Sequence, residues 1–160
     1  MLTVASRPVD AADCLNKVLR GEAPSDVLIA RGHVNITATN RRTLEISKDP
    51  YVTRRGDCIV ACCAEKAAGE LRREVLRALA SRGVVVVVVI DAGDVWDVVT
   101  GEAPGTVPTS TWRMVVRKSR YVDDSTLAVS ADKAAADLNS ALVAKLRQGA
   151  PVRVAVGICY

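Results

Sequence analysis

The stretch Cys58-Ile59-Val60-Ala61-Cys62-Cys63-Ala64-Glu65-Lys66-Ala67-Ala68 decides the architecture, because Thr126-Leu127-Ala128-Val129-Ser130-Ala131-Asp132-Lys133-Ala134-Ala135 restates it from Ile59 onward, 67 residues later. Each copy opens as a short apolar strand and runs toward a helix. The match continues through that helix: Leu71, Val75 and Leu79 answer Leu138, Leu142 and Leu146 at the same offset. The spacing i, i+4, i+8 places the three side chains on one buried stripe. A helix is therefore expected over 64–82, stopped by Gly83, with a second starting near Ala131.

Working outward, Val84 to Ile90 is apolar at every position and reads as a central strand covered on both faces. Trp96 to Thr100, Trp112 to Val116 and Val152 to Ile158 read as further strands, the last two alternating apolar with other residues. Tyr121-Val122 answers Tyr51-Val52 at an offset of 70, so the second copy has lost three residues before its short strand. The predicted class is α+β: mainly antiparallel β, sandwich-like or strongly curved, built from an internal duplication with two packed helices. Residues 27–160 form one domain of two units, about 27–90 and 91–160.

Residues 1–26 read as peripheral. Asp10 or Asp13 can cap a short helix with the stripe Leu15, Val18, Leu19, ended by Gly21 with Pro24 beyond. From Val27 the chain reads as strand, with Arg31, His33, Asn35, Thr37 and Thr39 on one polar face. Asn40-Arg41-Arg42 would turn it back into Thr43 to Ser47, making a hairpin with a polar side.

At 160 residues the chain buries about 70% of its unfolded surface without staples. The five cysteines, Cys14, Cys58, Cys62, Cys63 and Cys159, are odd in number and hold no Cys-x-x-Cys, so neither a disulfide framework nor a zinc site is expected. The apolar run ending at Ile90 falls short of the roughly 18 residues of a membrane span. Met1 to Pro8 lacks a signal-peptide pattern. A soluble, cytoplasmic protein with no membrane partner is expected. The net charge of +4 is small, but from Arg31 to Asp57 six basic residues face three acidic ones.

Arg31-Gly32-His33-Val34-Asn35-Ile36-Thr37-Ala38-Thr39, Thr43-Leu44-Glu45-Ile46, Arg55-Gly56-Asp57-Cys58-Ile59, Arg117-Lys118-Ser119 and Asp132-Lys133-Ala134-Ala135-Ala136-Asp137-Leu138 occur in this order. Together they resemble the archaeal domain-of-unknown-function family 371, from about Val27 to Ile158. The resemblance implies an archaeal, thermophilic source, a mainly β sandwich-like core and no established activity. Members usually carry His where this chain has Asn40, and Arg at the position of Ser140. A two-histidine metal site therefore does not carry over, and no metal or cofactor is expected.

The candidate chemistry gathers on the first unit. His33, the only histidine, would act as base, with Glu45 and Asp57 orienting it. Asn35 would bind ligand, and Arg117 and Lys118 would arrive from the second unit to neutralise an anion. The plain alternative is the wet side of a hairpin. Cys58 beside His33 would be a nucleophile if ionised, although free cysteine is usually buried. Arg41-Arg42, Arg54-Arg55 and Arg117-Lys118 would converge on phosphate if the units pack face to face. Three readings result: a binding module for a small anionic ligand or, with weaker support, nucleic acid; a small hydrolase with His33 as base; and an assembly subunit.

Overall fold

The computed structural model describes residues 11–160. The candidate cap Asp10 and the stretch Met1 to Pro8 lie outside the described residues. Among the described residues eight strands form two four-stranded sheets. The first has the order β1 (Ser25–Arg31), β8 (Pro151–Cys159), β4 (Val85–Asp91), β5 (Trp96–Glu102), all neighbours antiparallel. The second has the order β3 (Ile59–Ala61), β2 (Thr43–Ser47), β6 (Arg113–Arg117), β7 (Thr126–Ala128). Its central pair β2/β6 is antiparallel, and each outer strand runs parallel to its neighbour. With helices α1 (Ala11–Leu19), α2 (Arg73–Leu79) and α3 (Ser140–Arg147), this is an α+β fold.

The core lies between the sheets and under α2 and α3. Leu28, Val88, Ile90, Val154 and Ile158 from the first sheet belong to one buried cluster with Leu44, Ile46, Met114 and Leu127 from the second. Both helix stripes join it: Leu71, Val75 and Leu79, and Leu138, Leu142 and Leu146, are all buried. β4 is Val-rich because both its faces are covered. Val86, Val88 and Ile90 enter the main core, whereas Val87 and Val89 pack with Cys14 and Val18 of α1 in a second, smaller cluster.

The helices are shorter than their periodicity predicts. A single 3₁₀ turn at Ala68–Glu70 precedes α2, which starts at Arg73 rather than near Ala64; the same turn at Ala135–Asp137 precedes α3, which starts at Ser140 rather than near Ala131. The reason is a local competitor for the backbone. Glu70 and Asp137 fold back to accept the N–H of Ala67 and Ala134, and Leu71 and Leu138 are extended, with ψ of 162° and 149°. Asn139 then caps α3 by accepting the N–H groups of Ala141 and Leu142.

The predicted hairpin does not form. β1 ends at Arg31 and pairs along its length with β8, and residues 32–42 are a loop. Gly32 explains the break: a Cβ there would lie 1.9 Å from the Leu146 carbonyl oxygen, so the chain passes directly against the end of α3. The loop then turns through Ile36 N–H to His33 C=O, and Ala38 adopts φ of +51°.

A disulfide joins Cys14 of α1 to Cys159 of β8 across a Cα separation of 5.7 Å. The odd cysteine count hid it, since the pair is 145 residues apart. It fastens the peripheral helix to the strand it packs on.

Polar contacts recur along the chain. Lys66 pairs with Asp26, which also accepts the Val27 and Arg72 N–H groups; Lys133 pairs with Asp97, which also accepts the Val98 and Asn139 N–H groups. Lys48 pairs with Glu70 as Lys118 does with Asp137. Glu65 accepts the Ile29 N–H as Asp132 accepts that of Thr100.

Candidate functional site

Leu44, Ile46, Met114 and Val116 point into the core, so their neighbours along β2 and β6 occupy the opposite face of the second sheet. Antiparallel register sets Thr43 opposite Arg117, Glu45 opposite Val115 and Ser47 opposite Arg113. This face is largely closed to water at its centre, where Glu45 is 8% exposed and Ser47 fully buried. Glu45 accepts from Arg113 Nη1 at 3.1 Å and from Cys58 Sγ at 3.8 Å. Asp123 receives Arg117 Nη2 at 2.9 Å and lies 3.9 Å from Arg113. Arg117 also donates to Thr126 Oγ1, and its guanidinium sits 4.9 Å from the centre of the Tyr121 ring.

Electrostatics follow from this packing. Burial alone would raise the Asp123 carboxyl, but hydrogen bonds from Ser125 and Thr126 and the Arg117 charge outweigh it and bring it down to about 2. The Cys58 thiol is pushed up by burial first and by the Glu45 charge second, a direction that disfavours the thiolate a nucleophile needs. The network is internally satisfied. It pairs two arginines with two carboxylates and leaves little charge to spare.

Spare charge lies in the loops beside it. Thr53 C=O accepts the Gly56 N–H, closing a turn with Arg54 and Arg55 at its tip. The Asp57 carbonyl takes the N–H groups of Thr39 and Asn40, and Asn40 Nδ2 donates to Asp57 Oδ1. Asn40 Oδ1 in turn accepts the N–H groups of Arg42 and Thr43, shaping the Arg41-Arg42 bend. Finally the Arg42 carbonyl accepts the Lys118 N–H at 3.0 Å. The three basic runs read from the sequence are thus tied together by backbone. Arg41, Arg42, Arg54 and Arg55 are exposed, and among the described residues none has an ion pair or a side-chain hydrogen bond. Lys118 differs, since its ammonium is held 2.7 Å from Asp137. Tyr51, Trp112 and Tyr121 are all more than half exposed: Tyr51 lies on the loop of Arg54 and Arg55 and Tyr121 follows Lys118 beyond β6, whereas Trp112 precedes β6 at the opposite strand end, where Ser47 faces Arg113. The Trp112 carbonyl accepts the Lys48 N–H.

His33 bonds within its own loop. Its Nδ1 accepts the Asn35 N–H at 3.0 Å, and Asn35 Nδ2 donates to the Val52 carbonyl. That acceptor role leaves the ring proton on Nε2. Among the described residues no hydrogen bond joins His33 to Glu45 or Asp57. Glu45 has Arg113 as its cation rather than Arg117 or Lys118, and Asp57 is bonded to Asn40. Sequence reasoning missed Arg113 and Asp123. The alternation of β6 carried a signal for Arg113, because it puts that side chain on the same face as Arg117.

The structure places no helix among the described residues that is long and apolar enough to cross a membrane. Over 127 residues, 77% of this chain and 91% of the relative, the sequence is 35% identical to a protein of Methanocaldococcus jannaschii named Uncharacterized protein MJ0206. Residues 28–159 match the model of the family described as Domain of unknown function (DUF371), which spans both sheets, α2, α3 and the arginine loops. On this match and on the archaeal relative, the chain belongs to the DUF371 family.

Proposed function

We propose that the arginine loops at the edge of the second sheet bind a phosphate-bearing polyanion, and that single-stranded nucleic acid fits them best. The observation that carries this reading is that four arginines, Arg41, Arg42, Arg54 and Arg55, exposed and without an ion pair among the described residues, lie on two loops clasped by Asn40 and Asp57. Arginine forks match phosphate oxygens in pairs. An exposed surface suits an extended chain of phosphates better than one enclosed group. Exposed Tyr51, on the loop of Arg54 and Arg55, and Tyr121, just after Lys118, supply ring faces of the kind on which unpaired bases stack. The Arg113–Glu45 and Arg117–Asp123 pairs serve as the platform under these loops.

The hydrolase reading has less support, since His33 has no carboxylate partner among the described residues. Fluorescence anisotropy with a labelled single-stranded oligonucleotide tests the proposal. Binding should weaken steeply with salt, with a log–log slope near −3 if all four arginines release counterions at about 0.7 each. Absence of binding at low salt refutes it. We further infer a cytoplasmic setting, in which such a ligand would be met.

A further inference from the structure

Cys62 and Cys63 are adjacent in sequence, and their sulfur atoms lie 2.7 Å apart. The backbone enforces this. Cys62 forms an isolated bridge with Arg31 and exchanges both of its backbone hydrogen bonds with it, and Cys63 follows in a left-handed conformation at φ of +60°. The corresponding turn in the second half of the chain has Ser130 at φ of +49° after Val129, so the bend is required by the fold but the thiols belong to the first half alone. Cys62 is buried, with its Sγ against the Gly32 carbonyl. Cys63 is half-exposed, with its Sγ against the Pro50 carbonyl.

We propose that Cys62 and Cys63 are a reversible dithiol–disulfide site that reacts with low-molecular-weight disulfides. The exposed Cys63 thiolate attacks one sulfur of the small disulfide, expelling one thiol and forming a mixed disulfide. Cys62 then loses its proton and attacks Cys63 Sγ, expelling the second thiol. In sum, the protein dithiol is oxidised by two electrons and the small disulfide is reduced to two thiols. Order follows from access: burial, followed by the bond to Cys63, pushes the Cys62 thiol up to about 12, so it is the poorer first attacker. The new bond would be labile. Adjacent Cα atoms are about 3.8 Å apart across a trans peptide, short of the roughly 4.4–6.8 Å that relaxed disulfides span, and strained disulfides are easily reduced. Cys14 and Cys159, at 5.7 Å, fall inside that range and stay joined.

The site also has a mechanical link to the loops. Oxidation removes the two S–H donors from the Gly32 and Pro50 carbonyls, next to the loop that carries His33 and the one that carries Tyr51 and the Arg54-Arg55 turn.

The test equilibrates the whole protein in glutathione buffers of increasing oxidised fraction, then alkylates and weighs it. Three thiols, those of Cys58, Cys62 and Cys63, should be alkylated in reducing buffer and one in oxidising buffer, with the Cys62–Cys63 peptide lighter by two hydrogens. Cys62→Ser should instead trap glutathione on Cys63. Phenylarsine oxide, which needs two neighbouring thiols, should bind the reduced wild type in equal stoichiometry and lose that binding in Cys63→Ala. The inference is overturned if all three thiols remain alkylatable across the redox range, or if Cys63→Ala binds the arsenical as well as wild type does. Should Cys62→Ser fail to fold, the arsenical and mass measurements on wild type decide alone.

Discussion

Asn40 donates from Nδ2 to Asp57 Oδ1 at 3.2 Å, while the Asp57 carbonyl accepts the backbone N–H groups of Thr39 and Asn40. This clasp joins the loop entering β2, which carries Arg41 and Arg42, to the loop entering β3, which carries Arg54 and Arg55. Removing Asn40 should therefore weaken polyanion binding without removing any cation. Asn40→Ala also deprives the Arg42 and Thr43 N–H groups of their acceptor, at a cost of about 1–2 kcal/mol by analogy with lost caps. Oligonucleotide titrations and denaturant melts on the same variant check both effects, and unchanged binding would show that the loops keep their shape without the clasp.

Leu142 and Leu146 are fully buried in the main core. Leu142→Ala should destabilise the protein by about 2–5 kcal/mol, as buried leucine truncations do. Urea melts measure it, and a loss under half a kcal/mol would place the stripe outside the cooperative core.

The Cys14–Cys159 disulfide closes nearly the whole chain, 145 residues apart. Cys14→Ser with Cys159→Ser should lower stability by about 2–4 kcal/mol, and more in dilute denaturant than at the midpoint if the reduced chain unfolds α1 separately. Melts of the double variant beside wild type in oxidising buffer give the answer.

Asp123 has a folded-state value of about 2, below its ordinary 3.8. A depressed carboxylate contributes stability above its unfolded value and loses it as pH falls through the folded one. Stability should thus decline between about pH 4 and pH 2, with Asp97, also lowered, adding to the slope; burial opposes its shift, and the Lys133 and Asn139 hydrogen bonds override it. Asp123→Asn should flatten the acid limb of a stability-against-pH curve, and an unaltered limb would assign acid sensitivity elsewhere.

How far the sequence revealed this molecule depends on what each residue reports. The offset of 67 residues that relates Val75 to Leu142 is also the offset from Lys66 to Lys133, whose ion pairs match, so periodicity located both buried stripes and the sheets beneath them. Val84 to Ile90 was legible as a doubly covered strand because every position is apolar. The polar alternation from Arg31 to Thr39 misled because a loop packed on α3 can alternate by accident, and only the close approach of Gly32 to Leu146 reveals it. The helix starts were obscured by Glu70 and Asp137, whose side chains bond to backbone N–H groups three residues earlier. Of the candidate site, the three basic runs were visible in sequence. Their clasp by Asn40 and Asp57 was not, since it depends on two loops meeting in space.

The central claim is that phosphate is bound at the arginine loops and not by positive charge in general. The most direct measurement compares two pair variants of equal charge: Arg54→Ser with Arg55→Ser on the loop, and Arg73→Ser with Arg77→Ser on the exposed side of α2. Affinity for a labelled single-stranded oligonucleotide is read against salt for each. The account predicts that the loop pair weakens binding at least tenfold and reduces the salt slope by about 1.4, two contacts at 0.7 each, while the α2 pair leaves both nearly unchanged. Equal losses in the two variants, or a loss confined to the α2 pair, would contradict it.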